Sequence, residues 1–313
     1  VSARRSAEDA GFGMKLFAMS TVLNTGLNYL LIFGKCGLPA LGIQGAAVAT
    51  LLARITEFAV CSFCAVRSRL LPIQWRAFFR PGWEMLRRFV KYSSPVILNE
   101  TAWGLGNSML TVILGYTDNS VEMLAANAVM GNLNRLFLVV CFGLGAATAV
   151  IIGKSIGEGR SHQEVMDLSR TLLVFTALVG TGLTALSLLL VPTLFVPVVF
   201  PLFKLYGESA AIATALAVTG FLSIPLHAYS ISAVTGVLRA GGDVFWSTLL
   251  DVGPQWCMAL PLTALLALVL KADYWWIAAA IQSESLLKVP LCALRIRTGQ
   301  WIHDVTVRKE RGQ

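Results

Sequence analysis

Charge is scarce in this sequence. Of 313 residues only 13% are Asp, Glu, Lys or Arg, and histidine occurs three times; ordinary globular chains are about a quarter charged. Disorder and coiled coils both need far more charge than this. Cysteine is also sparse, with six in the chain, and most lie in apolar runs. Cys61 and Cys64 have C-x-x-C spacing but no second pair or nearby histidine, so they read as small buried hydrophobes, and a disulfide scaffold is excluded. His162, His227 and His303 form no cluster, and no zinc-protease, P-loop or nucleophile-elbow pattern occurs. The expectation is therefore no resident metal, no cofactor and no enzyme.

What is present is apolar surface. Hydrophobic residues make up 56% of the chain, and its mean hydropathy is +0.70. They gather into eight blocks, 16–34, 43–66, 93–116, 123–150, 168–191, 209–236, 245–270 and 274–294, each near the ~20 residues that cross a bilayer as helix. Only helices satisfy their own backbone groups span by span, and the blocks do not alternate apolar with polar as barrel strands do. The predicted fold is all-α, a polytopic membrane bundle of eight transmembrane helices. The organisation expected is two helices in 1–66, an amphipathic connector in 67–92 with interfacial Trp75 and Trp83, six helices in 93–297, and a tail in 298–313. The chain opens on Val1 without a signal-peptide pattern.

Nineteen of the 25 Lys and Arg residues fall in segments on the side of the N-terminus, three on the other side, and Arg54, Arg135 and Lys288 within spans. That asymmetry predicts cytoplasmic termini and an even number of spans. The net charge of +8 then faces anionic lipid and is no nucleic-acid footprint.

An internal match links the first and seventh spans: residues 20–29 read STVLNTGLNY and residues 247–256 read STLLDVGPQW, with Asn24 opposite Asp251. Arg5–Asp9 is similar to Arg239–Asp243, and Ala46-Ala47 to Ala278-Ala279. A repeat of six helices with one orientation follows, a pattern found in transporters. On this reading the first copy lacks four helices.

Ionisable groups inside a bilayer are costly, so each one marks a structural pair or a function. Arg54 with Glu57, and Glu284 with Lys288, stand three and four residues apart on their helices and are read as structural ion pairs. Glu100, Asp251 and Arg135 remain, with one acid in excess. An acid without a basic neighbour in a low-dielectric site either takes up a proton or holds a cation. Trp103 and Asn107 share a face with Glu100, and Asn127, Gly131 and Asn134 form a second polar stripe beside Arg135. Such stripes either line a wet cavity or bond helices together. Pro95, Pro225, Pro254 and Pro261 are expected to interrupt their helices.

Several segments, in order, resemble one family. Asn28–Gly34 followed by Gly37–Thr50 (GLPALGIQGAAVAT) resembles the fifth and sixth helices of multidrug and toxic compound extrusion (MATE) transporters, and Pro95–Trp103 (PVILNETAW) the start of their seventh. Gly236–Asp243 (GVLRAGGD) resembles the end of the tenth helix and Arg297–Trp301 (RTGQW) the close of the twelfth. The resemblance implies two six-helix lobes of which this chain holds the last two helices of the first and all of the second, cytoplasmic termini, and a substrate cavity between lobes. It implies efflux of organic cations, drugs or toxic metabolites by antiport with Na⁺ or H⁺, in a bacterial plasma membrane and by a monomer. Glu100 matches an acidic position of the seventh helix that takes part in cation coupling in many members, with Asp251 as a second coupling acid. The cavity residues expected are Trp103, Asn107, Asn127, Asn134, Arg135, His227 and Tyr229, with Phe221 as an apolar wall. The tenth-helix acid of many members is absent; the stretch reads PLHAY, with His227 in its place. Two alternatives stay open: a lipid-linked oligosaccharide flippase of the same superfamily, and a membrane protein that does not transport.

Overall fold

The computed structural model describes residues 10–35, 37, 39–67 and 82–302. Arg5–Asp9 of the internal match, residues 68–81 of the connector, and residues 303–313 of the tail lie outside them. The described residues form helices and turns, with no strand among them. They divide into two compact units between Arg87 and Arg88.

The first unit is a helical hairpin of α1 (Ala10–Phe33) and α2 (Gly42–Arg67). The two helices come close because position 45 is glycine: a Cβ there would lie 2.6 Å from the Leu31 carbonyl oxygen. Polar groups bridge them along their length. Ser20 Oγ donates to Glu57 at 2.9 Å, Asn24 Nδ2 to Thr50 Oγ1 at 3.4 Å, and Glu57 also pairs with Arg54.

The second unit contains α3 (Trp83–Gly115) from Arg88 onward, α4 (Ser120–Gly157), α5 (His162–Leu202), α6 (Glu208–Leu222), α7 (Ile224–Leu238), α8 (Val244–Val269) and α9 (Tyr274–Arg297). α6 and α7 meet at 47° and together make one bent span. The bend falls at Ser223, two residues before Pro225, where proline cannot supply a helical N–H. Across the chain, six described helices are long and apolar enough to cross a bilayer, and the bent pair makes seven. The eighth expected block, 93–116, is the exception. It belongs to the 33-residue α3, whose Asn99, Glu100, Thr101, Asn107, Ser108 and Thr111 dilute its apolar residues. The least apolar span is thus the one that carries the candidate carboxylate.

Small residues set the spacing of the bundle, as is usual where helices pack in lipid. A Cβ at Gly236 of α7 would lie 2.7 Å from Thr148 Cβ of α4, and one at Gly180 of α5 would lie 2.8 Å from Pro225 Cα. Several stretches are wound as π-helix: Val191–Val199 around Pro197, Ser232–Leu238, Gln255–Ala259 just after Pro254, and Leu265–Val269. Pro95, by contrast, sits inside a continuous α-helical element.

Two apolar cores hold the second unit together. One includes Phe195, Ile212, Phe221, Ile224 and Ala278; the other includes Ile152, Val165, Val234, Ile296 and Trp301. Along α9, Glu284 and Lys288 fall between Ile277 and Ala278 of the first core and Cys292 and Ile296 of the second.

Candidate functional site

Four helical segments bring their polar residues together in the second unit. From α8, Asp251 accepts hydrogen bonds from Asn99 Nδ2 of α3 at 2.9 Å and from Lys288 Nζ of α9 at 3.0 Å. Its Oδ2 also lies 3.5 Å from Nη2 of Arg239, the residue that follows α7. Arg239 reaches a second acid through its other nitrogen, with Nη1 3.5 Å from Glu100 Oε1. Lys288 likewise faces two acids, since Glu284 Oε1 is 4.0 Å away. Glu284 then lies 3.7 Å from Nε2 of His227 on α7.

The result is a chain of alternating sign: Glu100, Arg239, Asp251, Lys288, Glu284, His227. Each fixed cation stands between two carboxylates. Coverage falls steeply toward the Glu100 end, where the side chain is 63% exposed against 22% for Asp251 and 8% for Lys288. Asn99 is buried and directs its amide nitrogen at both acids, lying 3.4 Å from Glu100 Oε1. α3 is tied to α8 on either side of this point, by Thr248 Oγ1 donating to Pro95 O and Trp256 Nε1 donating to Ala102 O. Among the described residues no group of three or more His, Cys, Asp or Glu is placed to hold a metal ion. Lys288 and Arg239 stand between the carboxylates instead.

The site differs from the sequence reading in where its cations come from. Glu100 is not without a basic neighbour: Arg239, counted as a loop residue just past its span, is carried back to it. Glu284 and Lys288 do meet across one helical turn, but the shorter contact of Lys288 is with Asp251. Neither Asn99 nor Arg239 is among the residues that charge within a span singles out. The signal for Asn99 was a second polar residue beside Glu100 in an apolar block. Arg239 stands in the internal match and in the GVLRAGGD stretch, but nothing local pairs it with Glu100, which lies 139 positions away.

The remaining candidates are scattered. Trp103 is 44% exposed, and Asn107 donates back to its carbonyl at 2.9 Å. On α4, Arg135 is exposed and Asn127 half-buried. Asn134 approaches Gly220 together with Gln282, and Gln282 accepts from Ser223 Oγ at 3.0 Å. Tyr229 is half-buried against the second core. Phe221 cannot wall a cavity: it is fully buried between Phe137 and Phe195, at centroid distances of 5.1 and 5.7 Å.

A bundle of bilayer-length helices around a string of charges defines an integral membrane protein. Comparison with known proteins narrows the class. No family model matches the chain. It is 25% identical over 273 residues, 83% of this chain and 56% of the other, to a probable multidrug resistance protein NorM of Photorhabdus laumondii. To the multidrug resistance protein MdtK of Edwardsiella ictaluri it is 26% identical over 300 residues, 91% and 62% of the two chains. The fold is shared with a crystal structure of a MATE protein in complex with MaL6, at a TM-score of 0.78 and 18% identity over 93% of this chain and 64% of that one. It is also shared with the MATE transporter ClbM in complex with Rb⁺, at a TM-score of 0.72 and 19% identity over 92% and 62%. The chain is thus similar in sequence to proteins named as multidrug resistance proteins and shares the fold of MATE proteins, and it spans about three-fifths of the length of the two curated relatives.

Proposed function

We propose that this chain serves secondary antiport, exporting amphipathic, cationic compounds in exchange for Na⁺ or H⁺. The observation that carries the reading is the charge of the chain just described. Among the described residues the fixed cations paired with Glu100, Asp251 and Glu284 are Arg239 and Lys288, so one negative charge is left over while His227 is neutral. A lone negative charge at membrane depth is costly, and one monovalent cation removes the cost. Glu100 is its natural seat, being the most open of the three acids and sharing Arg239 with Asp251. Asp251, surrounded by Asn99, Lys288 and Arg239, acts as the inner coupling acid that holds the two fixed cations in register.

Coupling then follows from exclusion. A cationic compound and the coupling ion compete for the same uncompensated charge, so each lowers the other's affinity, typically by about 1–3 kcal/mol. Alternating access turns that competition into exchange. Trp103 and Asn107, on the exposed side of α3 beside Glu100, suit contact with an aromatic or quaternary cation. The relatives named as multidrug resistance proteins support the efflux reading, and a neighbour solved with Rb⁺ supports a monovalent cation. We place the protein in a bacterial plasma membrane as a monomer with both termini cytoplasmic, in keeping with the Lys and Arg asymmetry. The flippase alternative needs basic groups for a lipid diphosphate, and here Arg239 and Lys288 are already engaged by carboxylates.

The test is efflux of ethidium from proteoliposomes under an imposed Na⁺ or pH gradient. Glu100→Gln is expected to lose gradient-driven efflux; undiminished efflux contradicts the assignment.

A further inference from the structure

The end of the charge chain opposite Glu100 has a geometry of its own. His227 Nδ1 lies 3.1 Å from the carbonyl oxygen of Ser223, one turn earlier on the backbone. A carbonyl oxygen only accepts, so Nδ1 carries the hydrogen and the neutral ring leaves Nε2 bare. That bare nitrogen faces Glu284 Oε1 at 3.7 Å, an acceptor opposite an acceptor. A proton on Nε2 turns the contact into a charge-assisted hydrogen bond and makes histidine the third cation of the chain.

We propose that His227 and Glu284 form a proton-binding site, linked through Lys288, Asp251 and Arg239 to Glu100, so that a proton held at one end and a cation captured at the other exclude each other. The link lies in the two shared cations. Arg239 stands 3.5 Å from both Glu100 and Asp251, and Lys288 stands 3.0 Å from Asp251 and 4.0 Å from Glu284. When an external cation neutralises Glu100, Arg239 turns wholly to Asp251. Lys288 is then released toward Glu284, and a protonated His227 loses its counter-charge. Run backward, a proton on His227 holds Glu284, Lys288 stays on Asp251, and Arg239 remains with Glu100.

The charged groups facing His227 come from α9, as Glu284 and Lys288, with Asp251 of α8 behind Lys288 and Glu100 of α3 behind Arg239. α4 and α5 meet α7 with Gly145, Thr148 and Gly180, which carry no charge. From α6, Gly220 and Ser223 adjoin the amide of Gln282.

The inference rests on reading Glu100 as the cation-binding acid, and the experiment separates the two. The chain, labelled with ¹⁵N-histidine and held in lipid bilayers, is titrated by solid-state NMR. It has three histidines, and His227→Gln assigns the signal. Glu100→Gln removes a negative charge from the far end, so the His227 midpoint is expected to move to lower pH than in the wild-type chain. Tetraphenylphosphonium is expected to move it the same way in the wild-type chain and not in Glu100→Gln. Coincident midpoints for wild type and Glu100→Gln, or a His227 that stays neutral wherever the protein is folded, overturn the link. If the mutation moves the midpoint and tetraphenylphosphonium does not, the link stands and Glu100 is not the cation seat. If tetraphenylphosphonium binding depends on Glu100 while the midpoint stays fixed, the cation seat stands and the link is overturned.

Discussion

The Nζ of Lys288 lies 3.0 Å from Oδ1 of Asp251, a residue 37 positions earlier on another helix. Both are inside the second unit, and Lys288 is among the buried polar residues. Removing one member of such a pair strands the other's charge, which typically costs about 3–5 kcal/mol, whereas removing both is far milder. Lys288→Met is therefore expected to lower the thermal unfolding midpoint in detergent sharply. Asp251→Asn with Lys288→Met is expected to regain most of the loss. A double variant no more stable than Lys288→Met would show that the two do not depend on each other.

Gly180 should tolerate no side chain. An added Cβ would lie 2.8 Å from Pro225 Cα and 3.0 Å from Ala228 Cβ, and a backbone atom cannot swing aside as the end of a flexible side chain can. Gly180→Ala is expected to destabilise by about 1–3 kcal/mol, the usual range for overpacking, and to push α7 from α5. Gly182, with nothing within 4 Å of its Cβ position, serves as the control: Gly182→Ala should leave the unfolding midpoint unchanged or raise it.

Arg295 clasps the turn after α7. Its Nε and Nη2 both lie 2.8 Å from Asp243 Oδ2, Nη1 reaches Gln300 Oε1 at 3.1 Å, and the guanidinium lies 4.9 Å from the ring centroid of Trp246. A lysine keeps the charge but neither the fork nor the stacking. Arg295→Lys is therefore expected to lose most of the stability that Arg295→Ala loses, read as unfolding midpoints side by side. A lysine variant as stable as wild type would reduce the clasp to a simple charge pair.

Trp103 and Glu100 are expected to separate in binding assays. If the indole offers an organic cation its face, Trp103→Ala should weaken tetraphenylphosphonium binding by about 0.5–2 kcal/mol, about two- to thirtyfold in Kd. Binding of Na⁺ or H⁺ should be unchanged. Equal loss of both would point to a structural role for the ring.

The helices were legible because burial in lipid is a signal along the chain: a block of apolar residues about 20 long has few other uses. Their ends were less so. Residues 83–92 continue α3 as helix but carry Arg87 and Lys91, so hydropathy alone stops short of them. The site was legible only in part. Glu100, Asp251, Glu284 and Lys288 stand out as charges in apolar blocks, and an i, i+4 pair can be read from spacing. Arg239 meets Glu100 across 139 positions, and no local rule reports such a contact. It follows α7 directly after a π-wound stretch at Ser232–Leu238, where the wider turn of the helix moves the register of whatever follows. Spacing grouped Glu100 and Asp251 with Arg135, whereas the structure brings them to Arg239 and Lys288.

The most direct measurement is the number of monovalent cation equivalents bound per chain. Sodium binding and proton uptake are to be measured on the purified protein in lipid bilayers, for wild type and for Glu100→Gln. Three carboxylates against two fixed cations predict one equivalent for the wild type, as Na⁺ or as H⁺, and its loss in the variant. An equivalent that survives in Glu100→Gln, unchanged in affinity, would contradict the account.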